Sequence, residues 1–445
     1  MTRPTLWSPW RIVLMFGLTS LATDLVYEGA RSIYGPLLAG LGATALVVGV
    51  VTGLGEAAAL VLRVVFGPLT DRTGRYWAVT IAGYALTVVS VPLLAVTPFL
   101  GGAGLAVAAG LILLERTGKA VRSPAKTALL AQFAQKVGHG RGFGVHKAMD
   151  QIGAFGGPLL VAAVVSATGA LWTGLAVLAL PGVLALVVLF VTRSQTPEPE
   201  AVPAPAPTPG GDSSVGDSGS ARSSDAGPRG AAFGAESGGA GSSAAGSRGW
   251  LGQAAGVDLP SAFFWYAVAA ALMTGGLVTF GIIGYHLTVQ GLVAPAAVPL
   301  VYAGGMLAEA VAALAVGHVY DHAGAKVLFA VPLLVALVPG LALAPSLGLV
   351  LAGVVIWGFA YGVQDSTVKA LVAELVAGPR RATAYGVFAA IQGAAAVLGG
   401  LLAGWLYESS LSALVAAVAV MQLAAAGLLA FALRKARRPG APSRR

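Results

Sequence analysis

Apolar residues run through this chain in long blocks separated by short polar breaks. Twelve blocks approach the roughly 20 residues an α-helix needs to cross the hydrocarbon core of a bilayer. They lie near 11–37, 45–69, 77–96, 101–129, 142–166, 170–192, 260–288, 296–318, 326–343, 346–372, 382–406 and 411–433. Barrel strands would be about 10 residues long and would alternate apolar with polar. Continuous runs predict helices instead, so the expected fold class is an all-α membrane protein with about 12 transmembrane helices. Gly and Ala recur inside the runs, and such small side chains let membrane helices approach closely.

Composition supports lipid as the solvent. Hydrophobic residues make up 57% of 445 positions and charged residues 10%, too few to cover a water-soluble globule. The net charge of +9 would suggest nucleic acid in a soluble protein. Here Lys and Arg sit at helix ends and in loops, so they report orientation and no nucleic-acid partner is expected. Arg3, Arg72, Arg75, Lys136, Arg141, Arg193, Lys326, Arg380, Arg381 and the tail from Arg434 all fall on one side of the twelve-helix arrangement. The opposite loops, around 38–44, 97–101, 167–170, 289–295 and 344–346, carry no Lys or Arg. By the positive-inside rule both termini are expected in the cytoplasm and the protein in the inner membrane. The first apolar block lacks a small-residue cleavage site and reads as a retained span. Absence of cysteine excludes disulfides, thiolate metal sites and thiol catalysis.

Residues 194–256 are rich in Pro, Gly, Ser and Ala, with almost no large apolar side chain. They read as a disordered cytoplasmic linker with a root-mean-square span of roughly 45 Å. It divides the chain into residues 1–193, a linker, residues 257–434 and a basic tail, 435–445. The flanking halves repeat: GPLTDRTG at 67–74 is echoed by GHVYDHAG at 317–324, RSPAK at 122–126 by DSTVK at 365–369, and GFGVHKAMDQIGAFGGPLL at 142–160 by AYGVFAAIQGAAAVLGGLL at 384–402. Three matches in one order imply two related six-helix bundles.

With these residues the chain resembles the major facilitator superfamily over everything but the linker. Gly67, Asp71, Arg72, Gly74 and Arg75 follow the superfamily's signature loop between helices 2 and 3, with Gly317, Asp321 and Gly324 as the second-half counterpart. TDLVYEGARSIYGPLL at 23–38, LERTGKAVRSPAKTALLAQ at 114–132 and GRGFGVHKAMDQIGAFGGPLL at 140–160 are similar to bacterial permeases that include nickel-resistance exporters. Ala125, Lys126 and Thr127 depart from that group's pattern, and no His-rich tail is present. Gly153, Gly157 and Pro158 resemble the exporter-associated motif of helix 5, although glycines four apart also serve ordinary packing. The resemblance implies alternating access by two pseudo-symmetric bundles, without a cofactor.

Charges inside spans are costly and mark functional candidates. Asp24, Glu28 and Arg31 share one face of helix 1, with Tyr27 beside them. They form either a self-neutralising packing set or a proton or substrate site. Glu56 in helix 2 is the leading proton carrier, with Asp24 and Glu28 next, because an ionised carboxyl at that depth demands a partner. A structural salt bridge is its alternative. Helix 4 carries Glu115, Lys119, Arg122 and Lys126 as a stripe, with Arg116 to its side, and Asp150 of helix 5 is a cross-helix partner for Arg122 or Lys119. That stripe is either a structural zipper or an anion-attracting vestibule. Glu309 and Gln392 are the cavity candidates of the second half. The five histidines do not cluster, so no metal site is expected. No phosphate loop, zinc-protease motif or nucleophile elbow occurs, so neither ATP-driven transport nor an enzyme is supported. The expected function is proton-coupled efflux of a small molecule or ion, by a monomer in the bilayer. Import or cation symport of a small polar or anionic solute is the first alternative, and a transport-silent receptor the second.

Overall fold

The computed structural model describes residues 7–196, 259–376 and 380–436. Nearly all of the expected linker and tail lies outside the described residues. Every regular element among the described residues is helical, as lipid requires, because a helix satisfies its own backbone polar groups. The first half holds α1 (Pro9–Arg31), α2 (Tyr34–Gly40), α3 (Ala45–Thr73), α4 (Tyr76–Leu93), α5 (Gly104–Val137), α6 (His139–Thr168), α7 (Leu171–Ala176) and α8 (Ala179–Ser194). The second holds α9 (Ser261–Gly276), α10 (Phe280–Val289), α11 (Val298–Ala323), α12 (Ala330–Ala342), α13 (Leu347–Leu375), α14 (Arg381–Ser409) and α15 (Leu411–Ala436).

Pairs of these helices share a span. The first expected block is split into α1 and α2 at Ser32–Ile33, and the seventh into α9 and α10 at 277–279. α7 and α8 together form the sixth. Local chemistry sets several ends: Ser8 caps α1 by accepting from Arg11 N–H at 3.4 Å, and Thr44 caps α3 through Val47 N–H at 3.4 Å. α3 ends on Gly74 at φ 64°, a left-handed conformation that glycine adopts without strain.

Eleven candidate spans are long and apolar enough to cross a membrane among the described residues. The fourth expected span, α5, is not among them because its polar stripe interrupts it. α5 has 34 residues, about 51 Å at 1.5 Å per residue, so it reaches beyond a core roughly 30 Å thick. Exposed Leu180, Leu314 and Leu423 lie on the outside of the molecule, where lipid covers them at no cost.

The packing is pseudo-symmetric. In the first half α1 packs on α6 and α8, α3 on α5, and α4 on α5 and α8. In the second half α9 packs on α14 and α15, α11 on α13, and α12 on α13 and α15. Between halves α3 meets α14, α6 meets α11, and α2 meets α10. Two faces of the molecule follow. The face carrying Arg72, Arg75 and Lys326 is called the basic face below.

On the opposite face the halves are in close contact. A Cβ on Gly49 would overlap the backbone of Gly400, and one on Gly404 would overlap that of Ala45. Thr52 Oγ1 and Thr279 Oγ1 lie 2.9 Å apart across the same seam.

Candidate functional site

A cavity of about 1000 Å³ lies between the halves. Its rim includes exposed Pro68, Asp71 and Lys147 near the basic face, and its blind end is formed by buried Gly399, Gly400 and Ala403. It is open on the basic side and sealed on the other. All ten expected cavity residues line it: Asp24, Tyr27, Glu28, Arg31, Glu56, Arg116, Arg122, Asp150, Glu309 and Gln392.

Helical spacing explains the first-half wall. Residues three, four and seven apart share a face, so Asp24, Glu28 and Arg31 of α1 all line the cavity, and Arg31 reaches Glu56 of α3. Arg31 Nη2 lies 2.5 Å from Glu56 Oε1 and Nη1 lies 3.9 Å from Glu28 Oε1. Arg116 Nη1 is 3.8 Å from the same Glu56 oxygen, and its Nε is 3.0 Å from Glu115 Oε2. Tyr34 donates to Glu115 at 3.2 Å, and Tyr302 of α11 donates to Glu28. One continuous polar chain thus runs from Tyr302 through Glu28, Arg31, Glu56, Arg116 and Glu115 to Tyr34, joining both halves. Charged groups in a low-dielectric wall depend on such partners, because an uncompensated buried charge is strongly destabilising.

Nearer the basic face, Tyr27 sits among cations. Lys119 Nζ donates to its hydroxyl at 2.8 Å and lies 4.0 Å from its ring centroid. The guanidinium groups of Arg116 and Arg122 lie 5.6 and 5.8 Å from the same ring. Arg122 donates to Thr87 at 2.6 Å, and Lys126 to Ser20 at 3.0 Å. Asp150 Oδ1 lies 3.7 Å from Nδ1 of His146 on its own helix, and the expected ion pair with Arg122 or Lys119 is not formed among the described residues. Glu115 also departs from the expected stripe: it is fully buried and turned toward Tyr34, while Arg116 faces the cavity.

The second-half wall is amide and aromatic. The break between α9 and α10 puts Leu277, Val278 and Thr279 on the cavity, and Trp357 donates to the freed Val278 carbonyl at 2.9 Å. Gln364 donates to Thr274 at 2.5 Å, and Thr274 donates to Gln392. Trp357 and Tyr361 stack with centroids 5.7 Å apart. Glu309, half-buried on this wall, makes no ion pair or hydrogen bond among the described residues.

The signature loop ties helix ends together. Asp71 Oδ1 accepts from the Tyr76 hydroxyl at 3.0 Å, a link within the loop and not one to a basic side chain. Arg72 and Arg75 are exposed. Gly317, Asp321 and Gly324 lie at the end of α11 and the following 3-10 turn; the side chain of Asp321 lies outside what is described. Gly153 and Gly157 face α1, where a Cβ would meet the carbonyls of Leu21 and Leu25, and Pro158 lies within the same helix. No group of three His, Cys, Asp or Glu side chains suited to a metal ion occurs among the described residues.

Two bundles with matching internal packing around a central charged cavity are the architecture of a known transporter family, and its family model matches residues 15–294 and 285–445. The chain belongs to the Major Facilitator Superfamily. Within the superfamily it is similar to an uncharacterized protein of Mycobacterium tuberculosis (strain ATCC 25618 / H37Rv), 46% identical over 434 residues, covering 97% of this chain and 95% of that protein. An uncharacterized MFS-type transporter of Methanocaldococcus jannaschii is 29% identical over 148 residues, 33% of this chain and 36% of that one. Among solved folds, the nucleoside transporter NupG superposes with a TM-score of 0.66 at 12% identity, covering 96% of this chain and 100% of that one. A POT family transporter in complex with 5-aminolevulinic acid gives 0.69 at 12%, covering 96% and 97%. These likenesses establish the shared superfamily fold. The chain is accordingly a multi-pass membrane protein of a secondary-transporter family.

Proposed function

We propose that the protein exports a small solute in exchange for protons, by rocking its two bundles about the central cavity. The observation that carries this reading is the cavity itself, open on the basic face, sealed by close helix contact on the other and lined by ionisable groups at mid-depth. With the basic face in the cytoplasm of an inner membrane, this geometry is the inward-facing state of an alternating-access cycle. Both bundles lie on one chain, so a monomer suffices.

Glu56, Asp24 and Glu28 are the first-half candidates for the coupling proton. Glu56 bridges Arg31 and Arg116, so neutralising it would release Arg31 and loosen the polar chain that links the bundles. Asp24 and Glu309 have no ion-pair or hydrogen-bond partner among the described residues, and a proton can enter either without breaking an existing bond. Export is favoured by the likeness of Gly153, Gly157 and Pro158 to the exporter-associated motif. The motif likeness to permeases that include nickel-resistance exporters supports efflux more than it supports nickel.

Everted vesicles with an imposed acid interior provide the test. A transported solute should discharge the pH difference faster than in vesicles lacking the protein. Screening metals, metabolites and antibiotics with no solute-dependent discharge, combined with uptake into right-side-out vesicles, would replace export by import. Import of a polar or anionic solute is the second reading because of the cations on α5.

A further inference from the structure

We propose that the cations of α5 form a subsite for the carboxylate of an aromatic monoanion, whose flat body lies on the aromatic wall opposite. Lys119, Arg122 and Lys126 are spaced i, i+3 and i+7 on one helical face and all line the cavity. Unlike Arg31 and Arg116, they make no ion pair within 4 Å among the described residues. Each makes one hydrogen bond, to Tyr27, Thr87 and Ser20 respectively. An ammonium has three donors and a guanidinium five, so most of their donor capacity faces the cavity.

Burial gives this vacancy in charge compensation its weight. Arg122 is only 5% exposed, and Arg116, which shares the Tyr27 ring with it and is 3% exposed, has a buried Nη2 without a hydrogen-bond partner. Cations removed from water gain from an incoming anion, and charge-assisted hydrogen bonds are the strong ones.

The charge balance restricts the ligand. Asp24 and Asp150 line the same wall, so beside α5 three cations face two carboxylates, while the whole lining holds seven Lys or Arg and seven Asp or Glu side chains; a single negative charge meets the local excess and disturbs the overall balance least. Glu309 on the opposite wall would repel a second negative group. Tyr361, half-buried, and the small exposed part of Phe388 line the second-half wall and offer apolar surface suited to a ring, while Trp357, fully buried, backs Tyr361 at 5.7 Å.

This inference rests on the cavity being the transport site. Binding in detergent needs no gradient, so failure of proton coupling and failure of anion binding are separate results. The full chain is purified and its melting temperature followed with benzoate, phenyl phosphate, benzyl alcohol and benzylamine at equal concentration, since a ligand of the folded state raises the transition by mass action. Benzoate should give the largest upward shift, phenyl phosphate a smaller one, and the neutral and cationic analogues none. Lys119→Gln and Lys126→Gln should each weaken benzoate binding about tenfold, the loss of one charge-assisted contact, while Lys326→Gln outside the cavity leaves it unchanged. Equal shifts from benzoate and benzyl alcohol, no benzoate shift, or undiminished binding in both folded cavity variants would overturn the proposal. If neither variant folds, the order of the four compounds on the wild-type chain decides.

Discussion

Glu115 has no exposed surface, so its charge depends on Arg116 at 3.0 Å. Arg116→Met should therefore cost about 3–5 kcal/mol, the range for leaving a buried charge unpaired; a melting temperature close to wild type would contradict the pairing. Glu56→Gln should abolish transport against a gradient under an imposed pH difference while sparing exchange at equal pH. A variant that still concentrates solute would make Glu56 structural and move the test to Asp24 and Glu309. Asp71→Asn should keep the fold but slow turnover, measured in liposomes at matched incorporation, because the Tyr76 hydroxyl would face a weaker acceptor. Most candidate residues were legible because a charge inside an apolar run is conspicuous, with Tyr27 noticed beside such charges and Gln392 as an amide in a quiet half. Tyr302, Trp357, Thr274 and Gln364 were not singled out, since an aromatic or uncharged polar side chain in such a run looks like ordinary core. Tyr302 and Thr274 acquire their roles only through Glu28 and Gln392, 274 and 118 residues away in sequence.

At the scale of helices, length and apolarity made the spans readable, whereas interruptions were not. The split of α9 from α10 follows Gly275 and Gly276, poor helix formers that in an apolar run also read as close-packing residues, and it is stabilised from outside by the Trp357 bond to the Val278 carbonyl. The reach of α5 to Val137 was underestimated for the converse reason: apolarity stops before the helix does. Close helix contacts, both within a half and between the halves, depend on glycine. Gly157→Val would drive its side chain into the Leu25 carbonyl and the Gly29 amide, separating α6 from α1. Because α1 carries Asp24, Glu28 and Arg31, this variant should lose transport along with thermal stability; normal stability and full transport would show that the helices can part without consequence.

Across the whole molecule, repetition of sequence motifs foretold two related halves, and the matching sets of helix contacts in the two halves follow that expectation. The resting arrangement of the halves was not readable, since it depends on long-range seams such as Gly49 against Gly400. If residues 194–256 act only as a tether, a Gly/Ser replacement of equal length should leave insertion and transport intact, and lost activity at normal expression would assign them a regulatory role. The most direct test of the central claim exploits the absence of cysteine in the chain. A single Ala389→Cys, on the cavity wall, is exposed to a membrane-impermeant maleimide from either side. Alternating access predicts fast labelling from the basic face in everted vesicles and slower but complete labelling from the opposite face in right-side-out vesicles. Labelling from the basic face alone, however long the reaction runs, would contradict it.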